Sequence, residues 1–282
     1  MARPVIEAVT AQSLPEFAAF LSANMSIPRS PEAWGSALSA NWLPERPNYG
    51  FLLRAGEDVV GGIGALYAER KVRGQSERFC NITSWCVRDD FRRFSVALAM
   101  QLLAQPGYHF TDFSPTKVVA GTLQFLKFQS LDDAVVVLPG LPVHLGNERV
   151  LDDAVAIGQE IPDELRQAWQ DHSVYPWLRQ LLLGRPGAWC HLIYKLRDFK
   201  GMPAAQLIYR SDRELLNAGL GALQTYFCRR GILSVHIERR MLGRTPKLGV
   251  LRSGFNPKQF NSSTLLPDDI DYLYSESVSM DL

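Results

Sequence analysis

The chain has 282 residues, of which 46% are hydrophobic and 21% are charged, and its formal net charge is +1 at pH 7. This composition is typical of a folded protein with one large domain or two modest ones, and it excludes an intrinsically disordered chain. The near-zero net charge argues against a dedicated nucleic-acid-binding surface, and no apolar run approaches the roughly 20 residues that a transmembrane helix needs. The first residues also lack the apolar core of a signal peptide, so we expect a cytoplasmic protein without membrane association.

The four cysteines, Cys80, Cys86, Cys190 and Cys228, are widely scattered along the chain. They form no Cys-x-x-Cys pair, and no neighbouring histidine stands at metal-ligand spacing. We therefore expect reduced, buried thiols and no bound metal.

The first half of the chain alternates between strand and helix patterns. Ser13 followed by Glu16, and Ser30 followed by Pro31, are typical of helix N-termini. The expected elements, in chain order, are a strand at 5–9, helices at 13–22 and 30–42, a hairpin of strands at 49–54 and 59–67, a strand at 82–87, a helix at 95–103 and a strand at 108–114.

A turn between a predicted strand and a predicted helix is the most informative segment. The strand pattern stops at Val87, and after a charged turn an apolar helical pattern begins near Ser95. A helix N-terminus leaves backbone N–H groups unpaired and carries partial positive charge, so it suits a phosphate. The small side chains of Ser95 and Ala97 allow close approach, and Arg92 or Arg93 can add positive charge. This turn is therefore a candidate anion-binding site.

The turn resembles the acyl-CoA-binding motif of the GCN5-related N-acetyltransferase superfamily. In that motif Gln or Arg, two residues, Gly, one residue and then Gly or Ala follow a central strand. Arg92 and Ala97 fit the motif, and Ser95 replaces its first Gly.

Neighbouring segments extend this resemblance over roughly residues 5–140. The hairpin at 49–67 is similar to the second and third strands of the superfamily, and the strand at 108–114 to its fifth. Residues 123–128 resemble its Leu-Tyr-x-x-Leu-Gly-Phe segment, with Lys127 at the Gly position.

The resemblance implies an α/β (α+β) fold of two acyl-CoA N-acyltransferase-like domains, each a mixed, mostly antiparallel twisted sheet flanked by helices. It implies acetyl-CoA or another acyl-CoA as cosubstrate and direct attack by an acceptor amine, with no covalent enzyme intermediate. The residues expected to bind acyl-CoA are Trp85, Cys86, Val87, Arg92, Arg93, Phe94, Ser95, Val96, Ala97 and Phe125.

The second half of the chain repeats the first in outline. Its expected elements are a helix from 161, strands at 189–196 and 204–209, a helix at 213–230, a strand at 232–238 and a terminal strand near 268–276. We therefore expect an acyl-CoA-binding domain at residues 1–146 and a degenerate copy at 160–282 that shapes the acceptor site or is structural.

The second copy is not expected to bind acyl-CoA. Gly219 and Gly221 could match the glycines of the motif, but Leu216 stands at the Gln/Arg position. Both glycines also lie inside a predicted helix, where each N–H has an i−4 partner and where glycine more often permits close packing.

Direct acyl transfer needs a route for the acceptor proton and a proton donor for the leaving thiolate. The thiolate-protonating Tyr of the superfamily aligns with Leu123, which leaves Ser114 or Thr116 for that role, unless they only start the next helix. Asp112 and Thr83, on adjacent strands, either relay a proton through water or face solvent.

Other candidates lie further from the motif. His236 and Glu238 share one face of a strand and form either a general-base pair or the wet face of an edge strand. Cys86 is expected to be a strand-packing residue and not a nucleophile.

Acceptor binding is expected to use residues from both ends of the chain. Arg29 and Trp34 belong to the two early helices, although Trp34 also fits a core position. Tyr274 and Glu276 belong to an acidic terminal segment that either lines a cleft between the domains or packs as an amphipathic strand.

Three functions fit the sequence. The first is an acyl-CoA-dependent acyltransferase, most simply an N-acetyltransferase, that acts on a small-molecule amine or amino sugar as a monomer or homodimer. The second is a non-catalytic binding or scaffold protein, which the departures at Ser95, Leu123 and Lys127 favour. The third is an aminoacyl-tRNA-dependent transferase, against which the near-neutral charge and the phosphate-binding turn both count.

Overall fold

The computed structural model describes residues 3–281, and these form two units. Unit 1 consists of the described residues up to Leu131, of Asn256–Ile270 and of those from Tyr274 onward. Unit 2 consists of Asp132–Phe255 and Asp271–Leu273. No helix within residues 3–281 is both long and apolar enough to cross a membrane.

Unit 1 begins with the strands and helices that the sequence predicts up to residue 114, and it also contains a 3₁₀ helix, a helix at 117–125 and a short strand at 129–130 that are not among them. In chain order the elements of unit 1 are β1 (Val5–Ala8), α1 (Leu14–Asn24), α2 (Pro31–Ser39), β2 (Gly50–Ala55), β3 (Asp58–Val72), β4 (Gln75–Val87), a 3₁₀ helix (Asp89–Phe94), α3 (Ser95–Leu103), β5 (His109–Asp112), α4 (Lys117–Phe125) and β6 (Gln129–Ser130). Local signals fix several of these boundaries. The Ser30 hydroxyl, for example, accepts a hydrogen bond from the backbone N–H of Ala33 at 3.2 Å and so caps α2.

Unit 2 contains the next seven strands and five helices. They are β7 (Val135–Pro139), β8 (Arg149–Leu151), α5 (Ala154–Glu160), α6 (Asp163–Ser173), β9 (Arg179–Arg185), β10 (Ala188–Phe199), β11 (Met202–Arg210), α7 (Arg213–Ala218), α8 (Leu220–Cys228), β12 (Ser234–Glu238), α9 (Arg239–Leu242) and β13 (Val250–Arg252). The predicted helix at 213–230 is broken at Gly219. A Cβ atom there would lie 2.6 Å from the Leu183 side chain, so this glycine permits close packing of the helices on β9.

The C-terminal residues hold a further strand, β14 (Gln259–Asn261), a short 3₁₀ helix (Pro267–Asp269) and α10 (Glu276–Ser279). The prediction of a terminal strand near 268–276 is therefore wrong. The acidic residues Asp268 and Asp269 lie in the 3₁₀ helix after Pro267, where acids are favourable near a helix N-terminus.

Each unit contains one seven-stranded sheet. The order in unit 1 is β1-β2-β3-β4-β5-β14-β6, and the order in unit 2 is β8-β9-β10-β11-β12-β7-β13. In each sheet one pair of neighbouring strands is parallel, β4 with β5 and β11 with β12, and the other pairs are antiparallel. The two sheets therefore share one strand order.

This topology differs from the predicted division into residues 1–146 and 160–282. Strand β7 follows β6 in the chain, but it pairs with β12 and β13 in the sheet of unit 2. Strand β14 follows β13, but it pairs with β5 and β6 in the sheet of unit 1. Unit 2 thus begins at Asp132, and the chain returns to unit 1 at Asn256. Alternating apolar residues predict a strand but do not specify the sheet in which it pairs.

Helices cover both faces of the unit 1 sheet. Leu52 packs in a buried cluster with α1 and α2, and its neighbour Leu53 packs in another with α3 and Leu123 of α4. Since successive strand residues point to opposite faces, these two clusters form separate cores on either side of the sheet.

Lys127 occupies the glycine position of the predicted motif in a left-handed conformation, with φ of +68°. It follows α4, where its N–H donates to the Gln124 carbonyl and the N–H of Phe128 donates to the Leu123 carbonyl, both at 2.9 Å. A Cβ atom is unfavourable in this conformation, and glycine is preferred at this point of a helix C-terminus.

We therefore predict that Lys127→Gly raises the free energy of unfolding by about 0.5–1 kcal/mol. Urea denaturation at neutral pH measures this change. Lys127→Ala is the matched control, because it removes the same long side chain and keeps the Cβ atom. An equal gain in the alanine variant would show that strain at this residue is not the cause.

Candidate active site

The strands β4 and β5 part inside the unit 1 sheet. They pair only from Phe79–Asn81 with His109–Thr111, and residues 82–87 of β4 continue without a partner in β5. The Asn81 amide group donates to the hydroxyl of Thr111 at 3.1 Å and to its carbonyl at 3.3 Å. This buried side chain therefore fixes the point at which the strands separate, which we call the fork.

An irregularity in β4 lies just beyond the fork. Cys86 pairs with Gly62 of β3 and Thr83 pairs with Gly64, so Ser84 and Trp85 together face a single residue of β3. Ser84 has a φ of +51°, which is uncommon for a residue with a side chain. Such a bulge bends a strand and changes where its next residues point.

Two buried carboxyl groups lie at the fork, Asp112 at the end of β5 and Glu276 at the start of α10. Glu276 Oε1 accepts hydrogen bonds from the N–H of Phe113 at 2.8 Å and from the hydroxyl of Ser114 at 3.0 Å. The N–H of Glu276 donates to Asn81 Oδ1 at 2.8 Å, and Asp112 Oδ1 accepts from the N–H of Ser114 at 3.1 Å. The structure thus brings together three predicted site residues, Asp112, Ser114 and Glu276.

Burial and mutual repulsion raise the pKa values of both carboxyl groups. Loss of hydration raises the pKa of Asp112 well above its usual range, and the neighbouring Glu276 raises it further. Burial also raises the pKa of Glu276, but hydrogen bonds from Phe113, Asn81 and Ser114 oppose that rise. Two donors to Glu276 Oε1, against one to Asp112 Oδ1, favour the carboxylate on Glu276 when the pair carries a single charge, and two adjacent buried carboxylates repel each other.

Several buried polar atoms near the fork lack a hydrogen-bond partner among the described residues. They include Glu276 Oε2, Trp85 Nε1 on β4 and Gln259 Oε1 on β14, the strand that pairs with Asp112. Most buried polar groups in native proteins are hydrogen-bonded, so these two acceptors and one donor are exceptions to that rule.

The predicted anion-binding turn has the expected order of strand, turn and helix, but its turn is the 3₁₀ helix Asp89–Phe94. The N–H of Ser95 donates to the Arg92 carbonyl, so this amide is already used. Arg92 also pairs with Asp89 at 2.8 Å, while Arg93 lies 4.9 Å from the Phe94 ring.

A cavity of about 270 Å³ adjoins the start of this turn and includes Asp58, Arg88 and Asp90 in its lining. Residues 88–93 contain three arginines and two aspartates, a net charge of +1. The turn thus offers cations to a pyrophosphate, although Asp89 and Asp90 would have to point away from it.

The other residues predicted to bind acyl-CoA have varied surroundings. Burial raises the pKa of the Cys86 thiol and Arg92 lowers it to a smaller extent, so the thiol stays neutral, as expected for a packing residue. Val87 packs beside the core on the α3 side, and Phe125 is 81% exposed at the end of α4. Val96 and Ala97 are exposed in the first turn of α3.

Thr116 has a structural partner of its own. Its hydroxyl accepts a hydrogen bond from the N–H of Val119 at 3.3 Å and so caps α4. Ser114 is therefore the hydroxyl of the predicted pair that contacts a carboxyl group.

The remaining acceptor-site candidates of unit 1 contact its C-terminal segment. Arg29 Nη2 donates to the carbonyl of Met280, and the guanidinium lies 5.6 Å from the Trp34 ring. Trp34 is fully buried among α1 and α2 residues, as a core position requires. Tyr274 packs edge-on against Trp42 with ring centroids 5.2 Å apart.

His236 and Glu238 lie in unit 2, and each has separate partners. His236 stacks on Phe199 at 4.1 Å, and burial lowers its pKa. Glu238 accepts from Arg240 Nε at 2.6 Å and from the Tyr272 hydroxyl. This buried carboxylate is paired with a cation, and His236 hydrogen-bonds with the Ser234 hydroxyl at 3.1 Å, so neither of these contacts forms the predicted general-base pair.

Two residues at the fork were absent from the sequence-based candidates, Asn81 and Gln259. Asn81 stands alone as a polar residue in the apolar run Phe79-Cys-Asn-Ile82, which is a usable signal for a buried hydrogen-bonded amide. Gln259 has no such signal, because its place beside Asp112 depends on the strand order.

Comparisons with known proteins agree with this fold. No family model and no curated protein matches the sequence. Solved structures that match include a GCN5-related N-acetyltransferase from Anabaena variabilis (TM-score 0.61, 12% identity) and a probable N-acyltransferase from Enterococcus faecalis (TM-score 0.62, 12% identity), each over 92% of this chain and 72% of the other. A GCN5-related N-acetyltransferase from Kribbella flavida matches with a TM-score of 0.57 and 11% identity, over 92% of this chain and 71% of its own.

The chain therefore has the fold of the GCN5-related N-acetyltransferases, as the sequence resemblance predicts. Its two mixed, mostly antiparallel sheets flanked by helices match two domains of this kind. Whether the two halves arose by duplication stays a prediction.

The raised pKa values at the fork predict a pH dependence of stability. Between the ordinary carboxyl pKa and the raised pKa values of the folded state, the folded protein binds more protons than the unfolded chain. The free energy of unfolding therefore falls as the pH rises through this range. In Glu276→Gln an amide still accepts from Phe113 and Ser114 and carries no charge. We predict that this variant is more stable than the wild type at pH 8 by about 1–3 kcal/mol, and nearly equal to it at pH 4.

Urea denaturation at both pH values measures this difference. Glu57→Gln is the control, because it neutralises an exposed carboxylate in the turn between β2 and β3. It should change the free energy of unfolding only slightly, and by the same amount at pH 4 and at pH 8. A Glu276→Gln variant that is less stable than the wild type at pH 8 would contradict the electrostatic account of the fork.

Proposed function

We propose that this protein is an acyl-CoA-dependent acyltransferase whose active site is the fork of unit 1. The observation that carries the proposal is the buried Asp112–Glu276 pair, placed where β4 and β5 separate and left with an unpartnered carboxylate oxygen, Glu276 Oε2. The GCN5-related N-acetyltransferase fold supports the same reaction class. In its finer form the proposal is transfer of an acetyl or longer acyl group to the amine of a small molecule.

The carboxyl pair suits the proton transfers that this reaction needs. An acceptor ammonium gives one proton to ionised Glu276 and becomes a nucleophilic amine. As its nitrogen forms a bond to the thioester carbon and the C–S bond breaks, the departing thiolate takes a proton from neutral Asp112. The second proton of the acylated nitrogen then returns to Asp112, and the proton on Glu276 leaves to solvent. Each group thus works in the protonation state that its environment favours.

Neighbouring groups have supporting roles in this proposal. The Ser114 hydroxyl orients Glu276 by a 3.0 Å hydrogen bond, and Asn81 holds the backbone of Glu276 against β4. Trp85 Nε1, a buried donor without a partner in the described chain, is available for a carbonyl oxygen of the acyl-CoA. Unit 2 is proposed to be without a second such site, because Arg240 neutralises Glu238 there.

Binding of CoA tests the location of the phosphates. Ser95→Glu sets a carboxylate at the first position of α3, where an acid is compatible with the helix but repels a pyrophosphate. We predict that it weakens CoA binding at least about tenfold in calorimetric titration. Met100→Glu, a surface change further along the same helix, is the control and should bind CoA like the wild type. Unchanged affinity in folded Ser95→Glu would place the phosphates elsewhere.

Turnover tests the carboxyl pair. With acetyl-CoA and longer acyl-CoAs, a panel of amines and detection of the released thiol, Glu276→Gln and Asp112→Asn should each lower kcat/KM by about 10²–10⁴-fold. In Glu276→Gln the rise of kcat with pH that reports Glu276 ionisation should also disappear. Glu57→Gln should keep the wild-type rate. A wild-type protein that binds CoA and releases no thiol with any amine would instead favour a binding protein with this fold.

A further inference from the structure

Unit 2 contains a cavity of about 620 Å³ that none of the predicted site residues line. It lies where the β9–β11 part of the sheet meets α5, α6 and the end of α8. Its volume falls within the roughly 300–1,000 Å³ that is usual for small-molecule sites. The residues around it differ from those of the fork, which belongs to unit 1.

One wall of this cavity is polar and partly pre-ordered. Asp152 Oδ2 accepts from Arg230 Nη2 at 2.7 Å and from the Tyr226 hydroxyl at 2.9 Å. The Cζ atom of Arg230 lies over the Tyr226 ring, 3.7 Å from its centroid. Stacking and the ion pair together hold this guanidinium in one orientation, with edge N–H groups left for a further acceptor.

The charge of the lining is unbalanced. Three arginines, Arg179, Arg197 and Arg230, face one carboxylate, Asp152, which gives a net charge of +2. Arg179 makes no ion pair within the described part of the chain and is exposed at the start of β9. An anion that enters the cavity would therefore gain two guanidinium partners without displacing Asp152.

Of the two tyrosines of the cavity, Tyr194 can donate to the same anion, because the Tyr226 hydroxyl already donates to Asp152. Burial raises the pKa of the Tyr194 hydroxyl and of the Tyr226 hydroxyl, so both remain protonated at neutral pH. The lining also includes the apolar side chains of Trp169, Leu178 and Ile232. The cavity thus offers cationic and hydroxyl donors together with an aromatic and aliphatic surface.

We propose that this cavity is a binding site for a small organic anion, a phosphate or carboxylate attached to an aromatic or similarly flat apolar group. Arg230 and Arg179 bind the anionic group and Trp169 contacts the apolar body. This site is separate from the acyl-CoA site, so it does not depend on the function proposed for the fork.

Calorimetric titration of the full chain with three probes tests the site. Phenyl phosphate should bind at one site per chain. Inorganic phosphate, which lacks the apolar body, and benzyl alcohol, which lacks the charge, should each bind at least about tenfold more weakly. Equal affinity for inorganic phosphate and phenyl phosphate would overturn the proposal that the apolar group contributes to binding, and equal affinity for benzyl alcohol and phenyl phosphate would overturn the proposal that the anionic group does.

Variants assign the binding to this cavity. Arg230→Gln and Arg179→Gln should each weaken phenyl phosphate binding at least about tenfold. Arg229→Gln removes an exposed neighbour of Arg230 that does not line the cavity, and it should bind like the wild type. Because Arg179 makes no ion pair within residues 3–281, its variant should fold normally, which an unchanged melting temperature without ligand would verify.

The same titration separates the two sites. Ser95→Glu should bind phenyl phosphate like the wild type, because Ser95 belongs to unit 1. Loss of phenyl phosphate binding in Ser95→Glu, or full binding in both arginine variants, would place the anion outside the cavity and overturn the proposal.

Discussion

The separation of β4 from β5 after the Asn81–Thr111 pair is the constraint on which unit 1 depends. Parallel neighbours in a sheet normally continue their hydrogen bonds, so strands that part leave backbone groups without partners. Here one side chain stabilises the branch point. The Asn81 amide donates to Thr111, and its oxygen accepts from the backbone of Glu276. One buried amide therefore joins two strands and the C-terminal helix, and positions the carboxyl groups beside them.

Burial gives these carboxyl groups their chemistry. An exposed Asp and Glu would both be ionised at neutral pH and would have little tendency to exchange protons with a substrate. At the fork, lost hydration and repulsion raise the pKa of Asp112, and the donors from Phe113 and Ser114 favour ionised Glu276. One environment thus holds a proton donor and a proton acceptor side by side. This arrangement lowers the free energy of unfolding, because an ionised group is kept out of water.

The same strand order gives a different result in unit 2. Glu238 is the last residue of β12, just as Asp112 is the last residue of β5. The Tyr272 hydroxyl, from the C-terminal segment, donates to Glu238, and Glu276 of the same segment neighbours Asp112. The difference is Arg240, which neutralises Glu238 at 2.6 Å. The shared strand order therefore places a carboxylate at the end of the corresponding strand in each sheet, and a single neighbouring side chain decides its electrostatics.

The sequence by itself determined the elements whose signals are local. Strand and helix patterns predicted most of unit 1 from residue 5 to residue 114, and the order of strand, turn and helix around Ser95. Asp112 and Ser114 could be proposed together because they are two residues apart at a strand end. Only the tertiary structure decided which sheet β7 and β14 join, and that the segment at Glu276 forms a helix beside β5. The physical reason is separation along the chain. Phe113 and Glu276 are 163 positions apart, and a contact over that distance depends on strand pairing and burial, which no local pattern encodes.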